Sequence, residues 1–244
     1  GWKAVARKLV KGTLRSVQAI AADPFLLYRR RGLPFQAAVA AAQVLGHELY
    51  GDEHYKAAVM EALAQADEEG IGGLSDAHLV ARCAELIGLP ADRVAPSITL
   101  QAGRAGKCEQ GLWFSPVVYF VRKKALAMIR ANQQDSGNAS PSVQARALRY
   151  RYTVVTGGAG SGKTELARSL SAQVRERGGT VAATAMTGKA ATLLGADATT
   201  LHKLLGYGGG GYLVSSVGAD LVLVDEAGML TWHILYRLLL SCRG

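Results

Sequence analysis

Acidic residues are scarce in this 244-residue chain: 19 Asp and Glu stand against 28 Lys and Arg, leaving a net charge of +9 and a pI near 9.6. That imbalance favours an anionic partner, nucleic acid foremost. Its three cysteines, Cys83, Cys108 and Cys242, are odd in number and without pattern, so they suggest neither a disulfide framework nor a zinc site and fit a reducing cytoplasm. No apolar run approaches the roughly 18 residues needed to cross a bilayer, and the basic N-terminus lacks the apolar core of a secretory signal. No internal repeat is evident, and His47, His54 and His78 show no ligand spacing. The positive charge is unevenly spread. Residues 1–31 hold Lys3, Arg7, Lys8, Lys11, Arg15, Arg29, Arg30 and Arg31 against the single acid Asp23, a net of +7.

Glycine, by contrast, is plentiful, and four glycines crowd into the stretch "TVVTGGAGSGKTELARSL", residues 153–170. Gly157, Gly162, Lys163 and Thr164 fit the phosphate-loop spacing G-x-x-x-x-G-K-[ST]. Such a loop turns its backbone N–H groups toward phosphate oxygens, and the helix after it adds its positive N-terminal end. Gly157, Gly158, Ala159, Gly160, Ser161, Gly162, Lys163, Thr164 and Glu165 are therefore the candidate nucleotide-binding residues. Lys163 is placed to reach the β and γ phosphates, and the Thr164 hydroxyl to ligate Mg²⁺. Thr153-Val154-Val155 predicts a buried strand before the loop. Leu166, Leu170 and Val174 recur every four residues after it, predicting a helix that Gly178-Gly179 stops.

The rest of the chain divides by composition. Ala-rich stretches at 36–45, 55–67 and 77–87 predict helices, separated by "LGHELYGDE", "EEGIGGLSD" and "GLPADRVAPS", which carry turn and cap residues. Ser75 starts one helix and Gly88 follows its end. Within 98–120, "GLWFSPVVYF" reads as β-like and suggests a small hairpin beside helices, as in winged-helix modules. "VRKKALAMIRANQQ" then returns to helix. The polar run "QQDSGNASPS" is the best linker, so the expected organisation is a helical domain at 1–132, a linker at 133–142 and an ATPase domain at 143–244. In the last of these, the strands "TVAATA" (180–185) and "LVLV" (221–224) alternate with helices. This predicts an α/β fold with a parallel sheet and its ligands at the carboxyl ends of the strands.

Asp225 and Glu226 follow the strand 221–224 directly. A carboxylate there can hold the Mg²⁺ that Thr164 ligates, and the adjacent Glu226 can orient and deprotonate an attacking water. Between the two halves lies "ATAMTGKAATLLGADATTLHKLLGY", residues 183–207. Thr187, Gly188, Lys189, Thr199, Thr200, His202 and Lys203 suit the phosphates of a strand lying across the sheet top, and equally suit an ordinary strand-to-helix connection. Trp113 and Phe114 read as core, and "GYGGGGYLVSSVG" (206–218) as a mobile surface loop.

In order and spacing, "VVTGGAGSGKT", "AMTGKAATLL", "ATTLHKLLGY" and "LVLVDEAGML" resemble motifs I, Ia, Ib and II of the RecD-like DNA helicases of superfamily one. Upstream, "DPFLLYRRRGLPFQAAVAAAQVLG" and "AVMEALAQADEEGIGGLSDAHLVARCAELIGLP" are similar to the helix-hairpin-helix and helical region preceding the motor in longer members. The resemblance implies a RecA-like P-loop NTPase and ATP-driven 5′-to-3′ translocation on single-stranded DNA, or on DNA with a single-stranded 5′ tail. It makes Lys163 and Glu226 catalytic, Thr164 and Asp225 the Mg²⁺ ligands, and Thr187, Gly188, Lys189, Thr200 and His202 DNA contacts. It also puts Gln144 near the place of the adenine-reading glutamine, although the gap to the loop is short for the family. The basic N-terminus then reads as a DNA-backbone surface instead of a transit leader.

Two departures qualify these expectations. Gly32-Leu33-Pro34 puts a proline, with no N–H, where the hairpin's second phosphate-binding glycine belongs. The chain also stops soon after Asp225 and starts without Met, so it is expected to be an internal fragment of a longer helicase, with an incomplete sheet and a second RecA-like domain outside it. Two other readings stay open: a nucleic-acid-binding module with a vestigial ATPase, and the helicase part of a conjugative relaxase.

Overall fold

A computed structural model describes residues 22–26, 28, 34–132, 142–158, 160–208 and 211–242. The basic residues of 1–21 and 29–31, Gly32-Leu33 of the hairpin, Ala159 and the stretch 133–141 lie outside the described residues. The chain divides into two compact units, 1–119 and 120–244.

In the first unit, helices α1 (Phe35–Val44), α2 (Asp52–Glu68), α3 (Asp76–Ile87) and α4 (Ala91–Ala105) precede an antiparallel hairpin of β1 (Lys107–Glu109) and β2 (Leu112–Phe114). Small side chains set the packing. Ala57, Ala58, Ala62 and Ala66 of α2 are fully or almost fully buried, so neighbouring helices approach closely around Leu63, Leu79, Val94 and Ile98. Ser75 caps α3 by accepting from the His78 N–H, and Gly88, in a left-handed conformation, ends it. Leu74, between α2 and α3, bridges Trp113 of β2 through paired backbone bonds of 3.0 and 2.7 Å. The order helix, bridge, helix, helix, hairpin places a small hairpin beside helices, as the sequence suggests. Trp113 is only half-buried; its indole N–H donates to Asp76 Oδ1 at 2.6 Å, while Phe114 fills the core.

Two local expectations fail here. Only the first three residues of "GLPADRVAPS" separate helices: α4 starts at Ala91 and continues through Pro96. Pro90 sits at the cap, where its missing N–H costs nothing. The bond lost at Pro96 is offset by the buried apolar stripe Val94, Ile98, Ala102 and Ala105. "SPVVYF" is likewise helical, opening α5 (Pro116–Ala131). Pro116 occupies the first helical position and Ser115 Oγ accepts from the Val118 N–H at 3.2 Å. Capping chemistry overrides the β-branched run.

The second unit contains α6 (Val143–Arg149), α7 (Lys163–Glu176), β3 (Val181–Ala185), α8 (Gly188–Leu194), β4 (Thr199–Thr200), α9 (Leu201–Leu204), the short hairpin strands β5 (Tyr207–Gly208) and β6 (Gly211–Tyr212), β7 (Leu221–Asp225) and α10 (Trp232–Ser241). Strands β4, β3 and β7 form a parallel sheet in that order, with Ala185 opposite both Thr200 and Asp225. This is the α/β P-loop fold class, with helices packed on the strands. At the opposite end of the sheet, Asp220 Oδ2 accepts from the Thr180 N–H (2.7 Å) and hydroxyl (2.8 Å), clipping β3 to β7.

Thr153-Val154-Val155 is not a buried strand. All three are exposed, Val154 at 84%, and among the described residues they join no sheet. β-branched residues become a strand only where a neighbour supplies a ladder. The glycine-rich segment 206–218, expected to be a loop, instead pairs Tyr207 with Tyr212 across β5 and β6.

Candidate functional site

The phosphate loop is shaped by its glycines. Gly162 (φ 82°) supplies the left-handed turn into α7, which a residue with a Cβ adopts only under strain. A Cβ at Gly157 would lie 2.5 Å from Ser161 Oγ, so a side chain there would push Ser161 out of its place in the loop. Ala159 lies outside the described residues. The Lys163 ammonium folds back over the loop and donates to Gly157 O at 2.8 Å, Gly158 O at 2.7 Å and Ser161 Oγ at 3.3 Å. A cation thereby lies over the mouth of the loop, beside a helix start whose first N–H groups have no partner within the helix. The ammonium is held there by the loop's own oxygens. Glu165 sits in the first turn of α7, on the solvent side, 3.6 Å from Arg168.

The parallel register brings the second motif to the loop. Asp225 ends β7, and the Thr164 hydroxyl points at its Oδ2 across 3.5 Å. A hydroxyl and a carboxylate are the hard oxygen donors Mg²⁺ takes, and two such groups leave most of its octahedron to phosphate and water. These residues fit the ion. Among the described residues no group of three or more His, Cys, Asp or Glu could hold a metal without such help.

Glu226 follows in a left-handed conformation (φ 56°, ψ 36°), unusual for a non-glycine residue. Its N–H donates to Asp225 Oδ1 at 2.9 Å, and its carbonyl accepts from the Met229 N–H at 3.0 Å. Its carboxylate accepts from the Thr187 hydroxyl at 3.2 Å. Asp225, Glu226, Thr187 and the phosphate loop thus converge at the carboxyl ends of the strands.

The remaining sequence candidates distribute as follows. Thr187 caps α8, which Gly188 and Lys189 begin, and Thr200 caps α9 by accepting from the Lys203 N–H at 3.3 Å. Both lie at the carboxyl ends of adjacent strands. The His202 ring stands 5.4 Å from that of Tyr207 and 6.3 Å from that of Tyr212, themselves 5.0 Å apart. Burial first, then the Tyr207 hydroxyl, pushes the Tyr212 phenol up, partly opposed by Arg237. Sequence reasoning missed this aromatic trio; two tyrosines flanking a glycine run are a hairpin signal that could have found it.

Gln144 stands apart from the loop. Its Nε2 donates to Ser169 Oγ at 3.4 Å, about 9 Å along the α7 axis from Lys163 at 1.5 Å per residue. It also lines a cleft of about 360 Å³ with Arg149, Gln173 and Arg177. That cleft follows the far half of α7, so it and the phosphate loop do not form one cavity.

Residues 141–243 match the family described as the AAA domain. A curated relative, the ATP-dependent RecD2 DNA helicase of Deinococcus radiodurans, is 28% identical over 190 residues, an alignment covering 67% of this chain and 26% of the relative. The chain spans about a quarter of the length of that relative. Both matches support the resemblance to RecD-like helicases and an NTPase of the helicase kind. Among the described residues, no helix is long and apolar enough to cross a membrane.

Proposed function

We propose that this chain is part of a RecD-like, ATP-dependent DNA helicase, in which the residues around the phosphate loop bind ATP·Mg²⁺ and the strand ends bind single-stranded DNA. One observation carries the reading: Thr164 and Asp225 face each other across 3.5 Å beside a glycine loop, with Glu226 next in sequence. In this reading Lys163 leaves the loop carbonyls for the β and γ phosphates, while Thr164 and Asp225 hold Mg²⁺, which when bound offsets the phosphate charge. Glu226 takes the proton of the attacking water. Gln144 is the residue assigned to the base, from its own cleft beside α7. Thr187, Gly188, Lys189, Thr200 and His202 meet the DNA, and translocation draws on a second RecA-like domain of the whole protein. The domain limits 1–132 and 143–244, with the linker 133–142, and a cytoplasmic location belong to the same reading.

Two measurements test it. Lys163→Ala is expected to weaken binding of a fluorescent ATP analogue by roughly 100-fold, since a hydrogen bond to a charged group carries about 1.5–3 kcal/mol. Unchanged affinity would sink the assignment. Steady-state ATP hydrolysis with and without oligo-dT, with Glu226→Gln as the control for contaminating activity, then asks how much of the motor this chain holds. DNA-stimulated turnover that the control lacks would show that the chain works without a separate second domain.

A further inference from the structure

One face of α7 holds the carboxyl end of α8. Arg168, a turn past Thr164, donates from its guanidinium to the Leu193 carbonyl at 2.5 Å. A second nitrogen of the same planar fork lies 3.6 Å from Glu165 Oε2, which aims the group. Two turns further along this face, Arg175 stands 3.9 Å from the Asp197 carboxylate.

The need for such a hold follows from what α8 lacks. It has seven residues, short of the roughly 12 at which an isolated helix becomes even marginally stable in water. What it buries is small: Ala190 and Ala191 pack on Ala185, with Leu194 and Ala198 partly covered beside them. Arg168, Ser171, Arg175, Leu194 and Asp197 surround a cavity of about 160 Å³, so the contact between α7 and this segment is not filled by packing. Gly195 leaves the helix at φ 148° and ψ 170°, outside the left-handed cap that turns later N–H groups back onto the last carbonyls. Those carbonyls draw on partners from elsewhere, and a cation among them also meets the negative end of the helix dipole. For Leu193, Arg168 is both.

At the other end of α8, about 10 Å away at 1.5 Å per residue, stand Thr187, Gly188 and Lys189. A short helix that tilts at one end moves the other. We infer that Arg168 is a positioning residue for the nucleic-acid contacts of α8: its guanidinium clamps the carboxyl end of that helix onto α7 and so keeps Thr187, Gly188 and Lys189 in register with the strand ends. This rests on the helicase reading above. Because α7 begins at Lys163, the clamp ties the nucleic-acid contacts to the same rigid element as the phosphate loop.

The test reads two properties of the 244-residue chain at fixed salt and pH. One is deuterium exchange of residues 188–195 by mass spectrometry. The other is anisotropy of labelled oligo-dT, with a fluorescent ATP analogue as the companion ligand. Arg168→Ala is expected to speed exchange in 188–195 several-fold and to weaken oligo-dT binding by roughly 5-fold, an ordinary effect for residues of one network, with ATP-analogue affinity kept within about 2-fold. Beside Lys189→Ala, its effect on oligo-dT should shrink to about 2-fold or less. Arg168→Lys, which keeps a cation able to reach the carbonyl, should restore most of the affinity. Unchanged exchange in 188–195 would overturn the inference. So would equal effects of Arg168→Ala in the two Lys189 backgrounds, since Arg168 would then be a separate cation for the DNA. Loss of analogue binding in Arg168→Ala would overturn it too, because the arginine would then serve the phosphate loop. Should that variant fail a melting control, Arg168→Gln replaces it, its amide ending about two bonds short of the guanidinium tip. If the unmutated chain binds the analogue but not oligo-dT, or if Lys189→Ala leaves oligo-dT binding unchanged, the DNA reading of α8 fails and the inference with it. Faster exchange in Arg168→Ala would then mark the clamp as structural alone.

Discussion

The first unit buries its apolar side chains in one continuous cluster running from Phe25 to Ala105, whereas the described part of the second distributes them over three small clusters around Leu201, Met128 and Ala185. The first unit is built from sequential helices whose contacts are local, with alanines that let them close on one another. The second unites strands distant in sequence, such as Val181 with Leu221, and every residue of β7 remains partly exposed. The difference separates two uses of a chain. One unit spends its apolar residues on packing, while the other leaves its loop and strand ends open, where backbone groups and carboxylates face solvent.

Core truncation gives the largest expected contrast. Leu63→Ala, at a fully buried position of the first cluster, is expected to cost about 2–5 kcal/mol in the first unit. Leu239→Ala, in a cluster whose other buried members are Ala125 and Met128, should cost the second unit about 2 kcal/mol, the low end of that range. Amide hydrogen exchange resolves the two units separately, and equal losses would break the comparison.

Acid should sharpen it next. His54 is buried between Phe25 and Phe35, its Nδ1 accepts from the Tyr50 N–H, and its Nε2 has no hydrogen-bond partner among the described residues. Burial holds its pKa below the ordinary value of about 6.5. The unfolded chain therefore binds a proton that the folded one refuses. Stability from this group is full above the ordinary value and falls as pH drops through it. The opening free energy of the first unit, obtained from exchange after correction for its intrinsic pH dependence, should fall between about pH 7 and 5, and His54→Phe should remove that dependence. Persistence of the dependence in the variant would assign it to another group.

The smallest effect belongs to the second unit. Hydrogen bonds from the Thr180 backbone and hydroxyl hold the Asp220 carboxyl below the ordinary carboxylate range. Its contribution is present above that range and disappears as pH falls through the lowered value. Asp220→Asn should therefore slightly lower the melting temperature of the second unit at neutral pH and leave it unchanged in strong acid. A loss that persists in acid would point to packing instead of charge.

The sequence carried much of this organisation, unevenly. Helices α1 to α3 and α7 were legible because apolar periodicity and caps such as Ser75 and Gly88 act within a few residues. Pro96 and Pro116 misled, since whether a proline breaks or opens a helix depends on what the flanking residues bury and cap. Thr153-Val154-Val155 misled for the converse reason: strand propensity is local, but a strand needs a partner.

For the candidate site, the spacing of Gly157, Gly162, Lys163 and Thr164 by itself determined a phosphate loop, because the chemistry is made by consecutive backbone groups. The pairing of β3 with β7 could be settled only in three dimensions, and on it depend the facing of Thr164 and Asp225 and the bond from Thr187 to Glu226. Side chains about 40 to 60 positions apart meet because a parallel register aligns the strand ends, and no local pattern in the chain encodes that register.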